Sequence, residues 1–176
     1  MNSLKGKVAL VTGGSRGMGA AIARRLAREG ADVVLTYNSC ADKANAVVTD
    51  IVKMGRRSMA IAANSADASA IQGVVQSTVT EFGQLDVLIN NAGIFVAKPI
   101  DELTLDDFEQ SIAVNVRAVF VASQVAAAYM GEGSRIITIG SNLAERVPMP
   151  GLSLYSLSKS ALTGFTKGLA RDLGPR

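Results

Sequence analysis

Tyr155 and Lys159 stand four residues apart, a spacing that puts both on one face of a helix and lets the two side chains act together. A free phenol, with a pKa of about 10, is a poor acid or base at neutral pH, but a neighbouring ammonium favours the phenolate. The pair can therefore replace histidine, which the sequence lacks altogether. That absence excludes Ser-His-Asp and Cys-His catalysis and removes the commonest metal ligand. Tyr and Lys at this spacing also arise by chance on helix surfaces, so the pair gains meaning from its company. The lone Cys40 has no partner for an internal disulfide and no ligand cluster around it; it reads as a bystander, and no metal site is indicated.

A second stretch with chemical potential is Thr12-Gly13-Gly14-Ser15-Arg16-Gly17-Met18-Gly19, between the apolar run Lys7–Val11 and a helical pattern carried by Met18, Ile22, Ala23 and Leu26. Gly13, Gly17 and Gly19 permit a tight turn, close approach of backbone N–H groups to a pyrophosphate, and close packing of helix on strand. A plain strand-to-helix turn is the alternative, and the position at the first βα junction favours the phosphate cradle.

The elements that must position these residues alternate along the chain. Strands are expected at Asp32–Thr36, Ser58–Ala62, Asp86–Ile89 and Arg135–Ile139. Helices are expected over about Ala41–Met54 with Ser39 as N-cap, from the Asp67 cap to Gly83, from Thr104 to about Met130, and from about Tyr155 to Leu173. Such alternation indicates an α/β fold with a parallel sheet covered by helices on both faces. The 176 residues suit one domain, 1–176, with a real core. No signal peptide or membrane-spanning run is evident, which points to the cytoplasm. The charge of +3 is too modest for a nucleic-acid stripe, so neither nucleic acid nor membrane is an expected partner.

Ile112 to Ala128 is apolar on nearly every side, so two faces of the long helix need cover. One would pack on the sheet. The other, with Ala118, Ala122, Ala126 and Ala127, would meet a second subunit or a loop of the same chain, the first being favoured. In an open parallel sheet, ligands lie beyond the carboxyl ends of the strands. There stand the glycine turn, Asn90-Asn91, Ser141, and the helix bearing Tyr155 and Lys159.

Taken in order, T-G-x-x-x-G-x-G at Thr12–Gly19, N-N-A-G at Asn90–Gly93, Asn115, Ser141 and Y-x-x-x-K at Tyr155–Lys159 make the whole chain resemble the short-chain dehydrogenase/reductase family. The resemblance implies a Rossmann-type, doubly wound, three-layer αβα fold and an oxidoreductase of carbonyl and alcohol groups. It implies Tyr155 as the proton donor to a carbonyl oxygen and Ser141 as its orienting hydrogen-bond partner. Lys159 would support Tyr155 and bind the nicotinamide ribose, and Asn115 would hold a water that relays protons towards Lys159. Asn115 also reads as a buried amide satisfying backbone at a helix irregularity, and Asn90 and Asn91 as a largely structural strand-end turn. The expected assembly is a homodimer or homotetramer through the long helix Leu105–Met130 and the helix from Tyr155.

A carboxylate after the second strand would bind the ribose 2′-OH of NAD and repel a 2′-phosphate. Here Thr36-Tyr37-Asn38-Ser39 contains no acid, while Arg16 stands in the glycine turn, so NADP (NADPH) is favoured over NAD. The expected cofactor-binding residues are Gly13, Ser15, Arg16, Gly17, Met18, Gly19, Tyr37, Asn38, Ser39, Asn64, Ser65, Asn91, Ala92, Gly93, Tyr155 and Lys159. Asn64-Ser65 stand where the family often has an acid near the adenine. Phe95, Leu143, Val147, Met149 and Leu152 form an apolar wall consistent with a ketone or 3-oxoacyl substrate, or pack on a neighbouring subunit. The family continues beyond the position of Leu173 with two more strands and a substrate loop. The fifth strand is accordingly expected as an open edge, with a longer or nicked chain, or a second polypeptide, supplying the remainder in preference to a stable truncated form. A non-catalytic nucleotide-binding or oligomerisation module is the alternative.

Overall fold

Val8–Val11 form β1, whose four residues are all buried because helices cover both sides of the sheet. The computed structural model describes residues 3–176. It continues through α1 (Gly17–Arg28), β2 (Asp32–Tyr37), α2 (Ala41–Lys53), β3 (Ser58–Ala62), α3 (Ala68–Phe82) and β4 (Val87–Asn90). Then come α4 (Leu105–Ile112), a π-helical segment (Ala113–Arg117), α5 (Ala118–Ala127), β5 (Arg135–Thr138), a 3₁₀ turn (Asn142–Ala144) and α6 (Ser153–Leu173). All strand pairs are parallel, in the order β3-β2-β1-β4-β5. The chain order reverses between β1 and β4, which makes that seam the switch point where loops diverge and a crevice opens.

Strand alternation divides the core. Ala9, Val11, Val33, Leu35 and Ile89 pack with Ala20, Ala23, Ala27, Val47 and Ile51 of α1 and α2. Leu10, Val34 and Leu88 point the other way, onto Ile71, Val74 and Val75 of α3 and Ala118, Ala122 and Ala126 of α5. The αβα layering read from the sequence is therefore present, with strand and helix ends displaced by at most three residues.

Local chemistry explains several ends. The Asp67 carboxylate accepts the N–H groups of Ser69 and Ala70, and Thr104 and Asp107 close a reciprocal capping box. Ser39 is not the cap of α2. Cys40 occupies that position, and its side chain caps no N–H of the helix. The helix expected as one piece from Thr104 to Met130 is interrupted by the π segment, where the N–H of Ala118 donates to the carbonyl five residues back, at Ala113, and it ends at Ala127.

The alanine stripe also differs from expectation. Ala118, Ala122 and Ala126 are the sheet-facing side of α5, because small side chains let the helix sit close against Leu10 and Leu88. The uncovered apolar groups lie elsewhere: Phe120 is 48% exposed, pairs with Phe165 of α6 at 5.8 Å, and is accompanied by Leu157 at 49%. Of the helical pattern Met18, Ile22, Ala23 and Leu26, Ala23 is buried and Ile22 and Leu26 pack partly buried on the core, while Met18 is exposed; Gly19, Ala20 and Ala27 complete the buried face. β5 is an outer strand of the sheet, as expected, with Ile137 exposed.

Candidate functional site

The turn after β1 is shaped by absent side chains. Gly13 has φ +65°, and a Cβ there would lie 3.0 Å from Ala92 Cα. At Gly19 a Cβ would collide with the Gly13 carbonyl oxygen and the Asn91 amide, and at Gly14 it would come within 2.6 Å of Leu35 Cβ. Thr12 holds the turn to the neighbouring loop. Its hydroxyl oxygen accepts the N–H groups of Asn91 and Ala92, both at 3.0 Å, and its hydrogen goes to the Ile89 carbonyl. The Asn91 amide returns two bonds, to the carbonyls of Thr12 (2.8 Å) and Gly13 (3.0 Å). From β2, Thr36 Oγ1 accepts the Gly13 N–H at 2.9 Å.

Above this seam lies a cleft of about 460 Å³. Its walls include Gly13, Ser15, Arg16, Gly17, Met18, Gly19, Tyr37, Asn38, Ser39, Asn64, Ser65, Asn91, Ala92 and Gly93, so every expected cofactor residue outside α6 is brought together. Thr36, Cys40, Ala63, Ile94, Gln110 and Val114 complete it. Arg16 is the one charged residue lining the cleft among the described residues, and no carboxylate opposes it. Asn64 Oδ1 accepts the Ala66 N–H at 3.0 Å in a local turn.

Gly93 leads from this cleft to α6: a Cβ on it would stand 3.3 Å from Asn115 Oδ1 and 3.7 Å from Lys159 Nζ. Asn115, buried within the π segment, accepts the Ile94 N–H (2.8 Å) and donates to the Ile94 carbonyl and to Ser158 Oγ, both at 3.0 Å. Ser158 in turn donates to the Tyr155 carbonyl at 2.8 Å. One amide thus ties the loop after β4 to the first turn of α6. Lys159 is 6% exposed, donates to the Ile139 carbonyl at 2.9 Å, and places its Nζ 5.9 Å from the Tyr155 ring centre. Burial pushes the Lys159 ammonium below its usual range. Ser141 Oγ accepts the Leu143 N–H at 3.1 Å, so its own hydrogen is free to be donated.

Of the residues that shape this region, Gly14 and Thr36 were given no role from the sequence, and Thr12 entered only as the first residue of the T-G-x-x-x-G-x-G turn. Their signal is a register: Val11 pairs with Leu35, which brings the ends of β1 and β2 together and sets Thr36 against the turn.

A second tie holds the rim. Lys98 Nζ bonds both Asp107 carboxylate oxygens at 2.8 and 2.7 Å, and the Lys98 N–H reaches the Gly151 carbonyl at 3.0 Å.

A family profile described as short chain dehydrogenase matches residues 7–176. The chain is 43% identical over 176 residues to an oxidoreductase of Methylorubrum extorquens, covering all of this chain and 71% of that protein. It is 42% identical over 171 residues to a hydroxynaphthalene reductase of Aspergillus fumigatus, covering 97% of this chain and 62% of that one. The crystal structure of a Burkholderia cenocepacia short-chain dehydrogenase in complex with NADP is similar at a TM-score of 0.98 and 60% identity, over 99% of this chain and 71% of its own.

The Lys98 hydrogen bonds, followed by those of Thr104, hold the Asp107 carboxyl at about 2, below its ordinary 3.8. Folded Asp107 takes up its proton less readily than the unfolded residue does. Its contribution is therefore complete above 3.8 and is lost as pH falls towards about 2. A carbon NMR titration of this carboxyl is expected to show a midpoint near 2 that rises towards 3.8 in Lys98→Met. A midpoint unmoved by that substitution would remove Lys98 as the cause.

Proposed function

The chain belongs to the short-chain dehydrogenase family, and we propose that it works as an NADP-dependent oxidoreductase interconverting a ketone or 3-oxoacyl carbonyl and a secondary alcohol. The observation that carries this reading is the junction at Gly93. There a cleft whose one charged wall residue among the described residues is Arg16 meets the side chains of Asn115 and Lys159. The cleft fits a dinucleotide phosphate, since Gly13, Gly17 and Gly19 line it without side chains, so that a ligand can approach the backbone of the turn, and Arg16 provides a cation without a competing carboxylate. Arg16, with Asn38 and Ser39, would hold a 2′-phosphate. The NADP bound to the Burkholderia relative supports the same choice here.

When bound, the nicotinamide group supplies or accepts a hydride. The protein's own residues manage the proton. Tyr155 gives its phenolic hydrogen to the carbonyl oxygen, or removes one from the alcohol, while the free hydrogen of Ser141 orients the same oxygen. The Lys159 charge stabilises the anion left on the phenol and binds the nicotinamide ribose. Asn115 has its N–H₂ group committed to Ile94 and Ser158. The second lone pair of its Oδ1, which faces Gly93 beside Lys159, is left to hold a relay water.

Phe120, Phe165 and Leu157 form an uncovered apolar surface on α5 and α6, and a second copy of the chain is proposed to cover it, giving a homodimer or homotetramer.

Tyr155→Phe is expected to reduce NADPH-dependent turnover of a ketone panel by about 10²–10⁴-fold, with the NADPH dissociation constant little changed. Retained turnover would sink the mechanism, and NADPH binding without turnover in the unaltered chain would favour a nucleotide-binding module. Arg16→Ala is expected to weaken NADPH binding by about tenfold or more relative to NADH; equal weakening of both would remove the 2′-phosphate role. Phe120→Asp is expected to lower the sedimenting mass by a subunit step, and an unchanged mass would place any contact between copies elsewhere.

A further inference from the structure

Phe95 sits two residues beyond Gly93, in the loop that carries the wall of the cleft towards α6. Its ring centre lies 4.8 Å from that of Tyr155 with the planes inclined at 70°, an edge-to-face pair. Phe95 is nevertheless 58% exposed and joins neither half of the core. A bare phenyl ring thus stands beside the phenol assigned the proton transfer.

The placement is pinned from both ends. The Asn115 amide takes both the N–H and the carbonyl of Ile94, immediately before Phe95, and the same amide reaches the Tyr155 backbone through Ser158. Three residues after Phe95, the Lys98 N–H is bound to the Gly151 carbonyl. The ring is therefore presented at a set position relative to Tyr155, which lowers the ordering cost of packing a ligand against it.

We propose that Phe95 is a specificity-determining residue that selects carbonyl substrates bearing a flat apolar substituent, aryl ketones above all. The inference rests on the reductase reading given above. A carbonyl oxygen bonded to the Tyr155 hydroxyl brings its substituents alongside the neighbouring Phe95 ring. An aryl group there buries apolar surface and extends the aromatic pair. A small alkyl group covers little of the ring, and an ionic substituent loses hydration against it without a partner.

The test compares acetophenone with butan-2-one, using NADPH as reductant, in the unaltered protein, Phe95→Ala and Phe95→Tyr. The unaltered protein is expected to favour acetophenone in kcat/KM. Phe95→Ala should lower that preference by about tenfold, chiefly through the KM for acetophenone, and Phe95→Tyr should retain it. The NADPH dissociation constant should be the same in all three, showing that the fold and the cleft survive. An unchanged preference, or an equal fall in kcat for both ketones, would overturn the proposal while leaving the reductase reading intact, because Phe95 would then act only by supporting Tyr155. No turnover of either ketone by the unaltered protein, or turnover surviving Tyr155→Phe, would overturn both.

Discussion

The seam between β1 and β4 joins two parts of the chain about eighty residues apart, and where the backbone ladder ends two polar side chains carry it on. Thr12 takes two N–H groups from the opposite loop, and Asn91 gives two bonds back. Thr12 is buried and Asn91 half-buried, so an unmade bond would leave a desolvated partner behind, and the pair acts as a single unit. Everything above the seam follows. The glycine turn is fixed against Ala92, Gly93 emerges at a defined height, and the loop continuing to Ile94 meets Asn115 at hydrogen-bond distance.

The same economy of charge runs through the site. Arg16 supplies the only cation of the cleft walls among the described residues, and Lys159 the buried one, bonded to a carbonyl and not to a carboxylate. An unneutralised ammonium in partly dry surroundings projects further than one paired with an acid, because nothing nearby cancels its field. The fold supports this at a cost, visible in the downward push on the Lys159 ammonium. That cost keeps positive potential where an anionic ligand or a developing phenolate would use it.

How much of this the sequence revealed depended on the range of the interaction involved. The caps at Asp67 and Thr104 were legible because the capping side chain and the N–H groups that donate to it lie within three residues. The cleft residues were legible because turns after parallel strands converge whatever the intervening helices contain. Gly14 and Thr36 were not, since their constraint comes from β2 lying beside β1, a pairing that no local pattern encodes. The alanine stripe of α5 was visible as a pattern but assigned to the wrong partner. Small residues mark close approach, and only the packed structure shows that the approach is to the sheet. Ser39 fitted the preference for a cap, yet the chain enters α2 one residue later.

The π segment, anticipated in the sequence only as a helix irregularity whose backbone a buried Asn115 amide would serve, bears on how this chain can change in length. Five residues from Ala113 to Arg117 are wound more widely than their neighbours, as though one residue had been inserted into an α-helix. Removing one would close the turn into regular helix and preserve the backbone bonding on either side. It would also rotate α4 by about 100° against α5 and swing the Asn115 amide away from Ile94 and Ser158. The deletion that the helix itself would tolerate most easily is therefore the one that would unfasten the loop of Phe95 from the helix of Tyr155. In this stretch the spacing of residues is under stricter constraint than the side chains that fill it.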